Sequence, residues 1–200
     1  MEKVMFQTGD GLELEGLLDK TSGQRGVVIV HPHPLYGGDM VNPVVESLSI
    51  VYRRKGYSTL RFNFRGVGNS QGGYDDGVGE QKDILAAIQV LQELGMTTIH
   101  LAAYSFGSWV VAKIDSFPKG VEKLVFVSPP LALMPFADTC TLPLLDLVVT
   151  GEDDEFAPPN LLESTVKKWN PEGRLEVVDH ADHFYFGSFP DLERIVGSIL

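Results

Sequence analysis

The sequence predicts an α/β fold with a mostly parallel central sheet, an antiparallel N-terminal edge and helices on both faces. Three observations predict it. Short strand-like runs alternate with longer segments of helical period along almost the whole chain, the pattern of parallel strands joined by right-handed crossovers. The run Gly26-Val27-Val28-Ile29-Val30 is apolar throughout, as a strand covered on both faces requires. The first two strand-like stretches flank Gly9-Asp10-Gly11, a hairpin signal that makes the opening edge antiparallel.

Each element follows in order. Lys3–Thr8 and Leu12–Asp19 are the hairpin strands, and Gly26–Val30 is the first buried strand. Residues 31–39 form a loop rich in proline and glycine. Residues 43–55 read as a helix, with Pro43 in the first turn and basic residues before Gly56. Ser58–Phe64 is a strand. Glu80–Leu94 is a helix with Ile84, Ala87, Ile88, Leu91 and Leu94 on one side, closed by Gly95. Thr98–Tyr104 is a buried strand and Phe106–Phe117 a helix. Leu124–Val127 and Leu144–Thr150 are strands, Asn160–Trp169 a helix, Leu175–Val178 a short strand and Asp191–Leu200 a final helix. Ser128–Pro143 breaks the rhythm. It holds Pro129, Pro130, Pro135 and Pro143, so a loop with at most a short turn is expected there.

The chain has 200 residues, 44% of them hydrophobic and 22% charged, which suits one domain over residues 1–200. No apolar run reaches the roughly 18 residues of a membrane span, and the N-terminus lacks the apolar core of a secretory signal. The expected location is therefore the cytoplasm, with no membrane partner. A net charge of −11 repels phosphate backbones, so nucleic acid is not an expected partner. The single cysteine, Cys140, rules out an internal disulfide and a multi-cysteine metal site. It lies in no strand-to-helix turn and reads as an incidental thiol.

In open α/β sheets, ligands bind beyond the carboxyl ends of the strands, and reactive groups gather at four such ends. At Ala103-Tyr104-Ser105-Phe106-Gly107 a strand ends and a helix begins. A serine on that sharp turn is lifted clear of the sheet, with a helix N-terminus behind it to favour developing negative charge. Ala103 stands where the usual Gly-x-Ser-x-Gly pattern has glycine. Alone, Ser105 would equally serve as a helix cap. Gly151-Glu152-Asp153-Asp154-Glu155 follows a strand directly and offers carboxylates to orient a histidine; alone it is an acidic solvated loop. Asp179-His180-Ala181-Asp182-His183 follows the last strand and offers a general base. Serine, then acid, then histidine, each after a successive strand, is the α/β-hydrolase order.

The fourth end is His31-Pro32-His33-Pro34-Leu35-Tyr36-Gly37-Gly38. Acyl transfer needs backbone N–H groups aimed at a developing oxyanion. Phe106 supplies one. Pro32 and Pro34 have none, which leaves His33, Leu35 and Tyr36 of this loop, and Leu35 is taken as the second donor. His-Pro-His projects its side chains from a stiff extended segment whose nearest acid is Asp39, so no metal is expected. In Arg65-Gly66-Val67-Gly68-Asn69-Ser70 the glycines lack the Gly-Lys-Ser/Thr of a phosphate loop. The stretch reads as a tight turn, with Arg65 paired to Glu80 or Asp83.

His31–Gly38, Arg61-Phe62-Asn63-Phe64-Arg65-Gly66-Val67-Gly68-Asn69-Ser70 and Tyr104-Ser105-Phe106-Gly107 together resemble a family of small bacterial α/β-hydrolases without a cap domain, esterases related to dienelactone hydrolases. The resemblance covers nearly the whole chain. It implies Ser105 as nucleophile, Asp154 as acid, three residues after Gly151 and four before Pro158, and His183 as base within Ala-Asp-His-Phe. The implied activity is cleavage of a small-molecule carboxylic ester through an acyl-enzyme, with no cofactor, by a monomer or homodimer. Thioester or peptide hydrolysis by the same triad, and a non-catalytic binding module on the same fold, are the alternatives. Leu131, Met134 and Phe136, with Tyr36 of the proline loop, are candidates for one wall of the site. The first three serve equally well as core.

Overall fold

The computed structural model describes residues 1–200. Eight strands form one sheet: β1 (Glu2–Gln7), β2 (Glu13–Asp19), β3 (Arg25–Val30), β4 (Ser58–Phe62), β5 (Thr98–Tyr104), β6 (Val121–Val127), β7 (Leu145–Gly151) and β8 (Arg174–Val178). Their order is β1-β2-β4-β3-β5-β6-β7-β8. The β1–β2 and β2–β4 pairs are antiparallel and every other pair is parallel.

Strand alternation divides the core in two. Val28 and Val30 face one side, Val27 and Ile29 the other, because successive side chains on a strand point to opposite faces. Helices α2 (Gly79–Glu93), α3 (Phe106–Ala112) and α4 (Pro159–Trp169) cover the first face, through Ile84, Val110 and Leu162 among others. Helices α1 (Pro43–Arg54) and α5 (Phe189–Gly197) cover the second, through Val45, Leu48 and Leu192. The helix expected over Phe106–Phe117 stops at Ala112. The Lys113 and Ile114 N–H groups donate to the Val110 and Val111 carbonyls, three residues back, which tightens the last turn and ends the helix. Ser128–Pro143 contains no helix or strand, in keeping with its four prolines.

Two polar knots hold the loops at the carboxyl end. His31 is fully buried. Its Nδ1 lies 2.6 Å from the Pro32 carbonyl, and its Nε2 accepts the Phe64 N–H at 3.0 Å. That ring ties the end of β3 to the end of β4. The Glu15 carboxylate accepts from Asn63 Nδ2 and from the N–H and Nδ2 of Asn69, all within 2.7–2.8 Å. Arg65 pairs with Asp83 at 2.7 Å and with Asp10 at 3.2 Å, while Glu80 accepts the N–H groups of Asp75 and Gly77 instead. The glycine turn is thus a fastening between β2, β4 and α2.

Candidate active site

Ser105 leaves β5 at φ 52° and ψ −120°. A non-glycine residue there carries about 1–3 kcal/mol of backbone strain, so its surroundings must hold it. They do. The Ser105 N–H donates to the Val127 carbonyl at 2.9 Å, and its own carbonyl accepts from the Ser108 N–H and hydroxyl. Gly107 brings α3 hard against β3. A Cβ on it would meet Val30 Cγ1 at 2.8 Å and the His31 and Val30 carbonyl oxygens at 2.9 Å.

His183 Nε2 lies 3.0 Å from Ser105 Oγ. On the far side of the ring, Nδ1 lies 2.9 Å from Asp154 Oδ2 and 3.0 Å from Oδ1. Asp154 is 2% exposed, and its Oδ1 also accepts the Phe156 and Ala157 N–H groups. Burial pushes this carboxyl up, but the His183 bond and charge, together with the Ala157 N–H, outweigh burial and leave it below the usual carboxylate range. The carboxylate therefore stays ionised. Ser105, Asp154 and His183 thus stand in one contact chain. Asp153 is exposed and its N–H donates to the Ala181 carbonyl. His180 is exposed and faces Glu152 at 3.3 Å. Neither joins the chain.

The His183 ring is boxed by aromatics. Tyr104 lies at 5.4 Å, Phe156 at 4.9 Å and Phe184 at 5.6 Å between centroids. The Tyr104 hydroxyl donates to the His183 carbonyl at 2.8 Å, fixing the backbone behind the imidazole.

The oxyanion loop departs from the expectation. Leu35 does not offer its N–H, which donates to His33 Nδ1 at 3.2 Å. The reason is a short 3₁₀ turn over Pro34–Tyr36 that His33 caps with its own side chain. The Tyr36 N–H is likewise used, on the His33 carbonyl. The N–H groups of His33 and Phe106 have no partner within the protein. The His33 ring packs on Phe106 at 4.6 Å and on Tyr74 at 5.1 Å. Tyr74 is a site neighbour that sequence reasoning missed. It sits in a glycine-rich loop without periodicity, and only an aromatic amid glycines could have marked it. Tyr36 is 86% exposed. Leu131, Met134 and Phe136 are partly buried and pack against the main core, Phe136 with its ring 5.0 Å from Trp169. Each keeps part of its surface exposed. Cys140 is half-buried with its thiol 3.8 Å from the Ala112 carbonyl.

No family model matches the chain. An uncharacterized protein of Rickettsia prowazekii is 29% identical over the whole chain and 89% of its own length. Among solved structures, an α/β serine hydrolase homologue from Coxiella burnetii is 34% identical. The match covers 100% of this chain and 97% of that one, with a TM-score of 0.89. A Xanthomonas campestris protein described as an α/β serine hydrolase without lid is 26% identical over 98% and 92% of the two chains, with a TM-score of 0.88. No helix is long and apolar enough to cross a membrane.

Proposed function

The chain belongs to the α/β serine hydrolase family, in the form without a lid, and from that premise we propose that it cleaves carboxylic esters through an acyl-enzyme on Ser105. Ser105 Oγ attacks the ester carbonyl as His183 Nε2 takes its proton. The tetrahedral oxyanion is received by the Phe106 N–H and, in place of Leu35, by the His33 N–H. The C–O bond to the alcohol then breaks, and the Nε2 proton passes to the leaving oxygen. Water, deprotonated by the same nitrogen, attacks the acyl-enzyme and releases the acid, returning the proton to Ser105. Asp154 holds the ring with its proton on Nδ1 and stabilises the imidazolium.

The observation that carries this reading is the unbroken contact from Ser105 Oγ through both ring nitrogens of His183 to a buried Asp154. A binding module has no use for a strained serine aligned in this way. The test is Ser105→Ala, assayed with p-nitrophenyl acetate beside fluorophosphonate labelling of the wild type. Turnover should fall by a factor on the order of 10⁶, and the label should sit on Ser105. More than a few per cent residual activity in a clean preparation refutes the assignment. Ester, thioester and amide of one acyl group, compared side by side, test the choice of leaving atom. The ester should be turned over fastest.

A further inference from the structure

Beside His183, two large aromatic side chains face water. Phe184 and Phe186 are 49% and 73% exposed, while His183 before them and Tyr185 between them are buried. The segment is pinned. Asp182 Oδ1 accepts the N–H groups of Phe184 and Tyr185, and the Tyr185 hydroxyl lies 2.8 Å from Ser128 Oγ. The outward rings are therefore presented from a fixed backbone. Phe184 stands edge-on to the imidazole at 89°. Phe186 stacks on it at 6.3 Å, and Phe189 closes the row edge-on at 6.5 Å. Rings thus lead outward from the general base.

The chemistry says which part of a substrate meets them. Nε2 must return its proton to the leaving oxygen, so that oxygen sits within hydrogen-bond reach of the imidazole and its substituent leaves past the exposed neighbours of the ring. Tyr104 is buried beneath, whereas Phe184 is the half-exposed one. The charge of the mouth narrows the choice further. Asp153, Glu155 and Asp182 are exposed and flank Asp154 and His183 in the chain, on a protein of net charge −11. Such a field repels leaving groups that carry phosphate or carboxylate. We infer that Phe184 and Phe186 form a leaving-group subsite for an uncharged aromatic or extended apolar alcohol. The inference rests on the ester reading above. It makes the alcohol, more than the acyl group, the part of the substrate that is selected.

The experiment compares ethyl acetate with 2-phenylethyl acetate by titrating released acid. The two alcohols are of similar acidity, so intrinsic reactivity is nearly equal. The wild type should favour the phenylethyl ester in kcat/KM by a factor on the order of ten, and the Phe184→Ala/Phe186→Ala double variant should lose most of that preference. Phe184→Leu/Phe186→Leu should restore part of it. Without any variant, 2-phenylethanol should inhibit wild-type hydrolysis of ethyl acetate competitively and far better than propanol does. A wild-type ratio near one overturns the subsite and leaves the esterase standing. So does an unchanged ratio in the folded double variant. If that unchanged ratio comes with a shift from dimer to monomer on gel filtration, the rings belong to self-association. Absence of turnover of both esters, with no labelling of Ser105, removes the ester reading and the subsite with it.

Discussion

Mild acid should loosen this protein through His31. Its imidazole is fully buried and must stay neutral, because Nε2 accepts the Phe64 N–H. Burial, partly opposed by the Pro32 carbonyl, holds its pKa down from 6.5 to about 4. Below pH 6.5 the unfolded chain therefore takes up a proton that the folded chain refuses. The stability His31 contributes is complete at neutral pH and drains away as pH falls from 6.5 through about 4. The span is about 2.5 pH units, which at 1.36 kcal/mol per unit makes a full loss of about 3 kcal/mol. At about pH 5, some 1.5 of those units have been crossed, a loss of about 2 kcal/mol. His100 is also held down to about 4, by burial and by nearby Lys123, so the wild type should lose about twice that amount. The perturbation is His31→Gln, whose Oε1 offers the Phe64 N–H an acceptor that does not titrate. It should cost about 1–2 kcal/mol at neutral pH, through the lost Pro32 bond and ring volume. Between about pH 7 and pH 5 its stability should then fall only about half as far as that of the wild type. Urea unfolding at the two pH values measures both. An identical fall in wild type and variant refutes the assignment of His31 as a buried neutral base.

Three further outcomes are expected. Asp154→Asn should lower kcat by a factor on the order of 10⁴, while the exposed Asp153→Asn should change it by less than about threefold; the reverse order in the same assay overturns the choice of acid. Gly107→Ala should destabilise by about 2–4 kcal/mol, because its new methyl meets backbone oxygens that have nowhere to go; a urea midpoint shift at constant slope reads this. Across p-nitrophenyl esters, rates should be highest for short acyl chains. A site without a lid offers few methylenes the roughly 0.8 kcal/mol each that burial provides, and a maximum at about twelve carbons or beyond would falsify the reading.

The legibility of this molecule in its sequence followed the range of the forces involved. Apolar runs such as Val27–Val30 had to be interior strands, and the turn at Ser105 was marked by a strand, a small residue and a helix meeting within five positions. Asp154 and His183 were distinguished from Asp153 and His180 by spacing within familiar motifs, and the structure brings that pair to Ser105. Leu35 was misread because the fate of its N–H depends on His33 folding back over a 3₁₀ turn, a local competition that residue types alone do not decide. Tyr74 was invisible because it meets His33 across some forty positions of intervening chain, from a loop with no period. Leu131, Met134 and Phe136 pack on the core while keeping partial exposure, a division that residue type alone does not set. The end of α3 escaped notice because the segment keeps a helical composition past Ala112.

Gly151 ends β7 where the acid loop departs. A Cβ at this position would lie within 2.1 Å of the Ala181 carbonyl oxygen, so the backbones of the acid loop and the histidine loop run in direct apposition. They are also stitched together, with Glu152 N–H on the Val178 carbonyl, Asp153 N–H on the Ala181 carbonyl and His180 N–H on the Glu152 carboxylate. Acid and base therefore ride as one mechanical body, coupled to a second, the β5–α3 unit that carries the nucleophile, through the Tyr104 hydroxyl on the His183 carbonyl. A side chain larger than hydrogen at residue 151 would wedge the first body apart and detune the base before it unfolded anything.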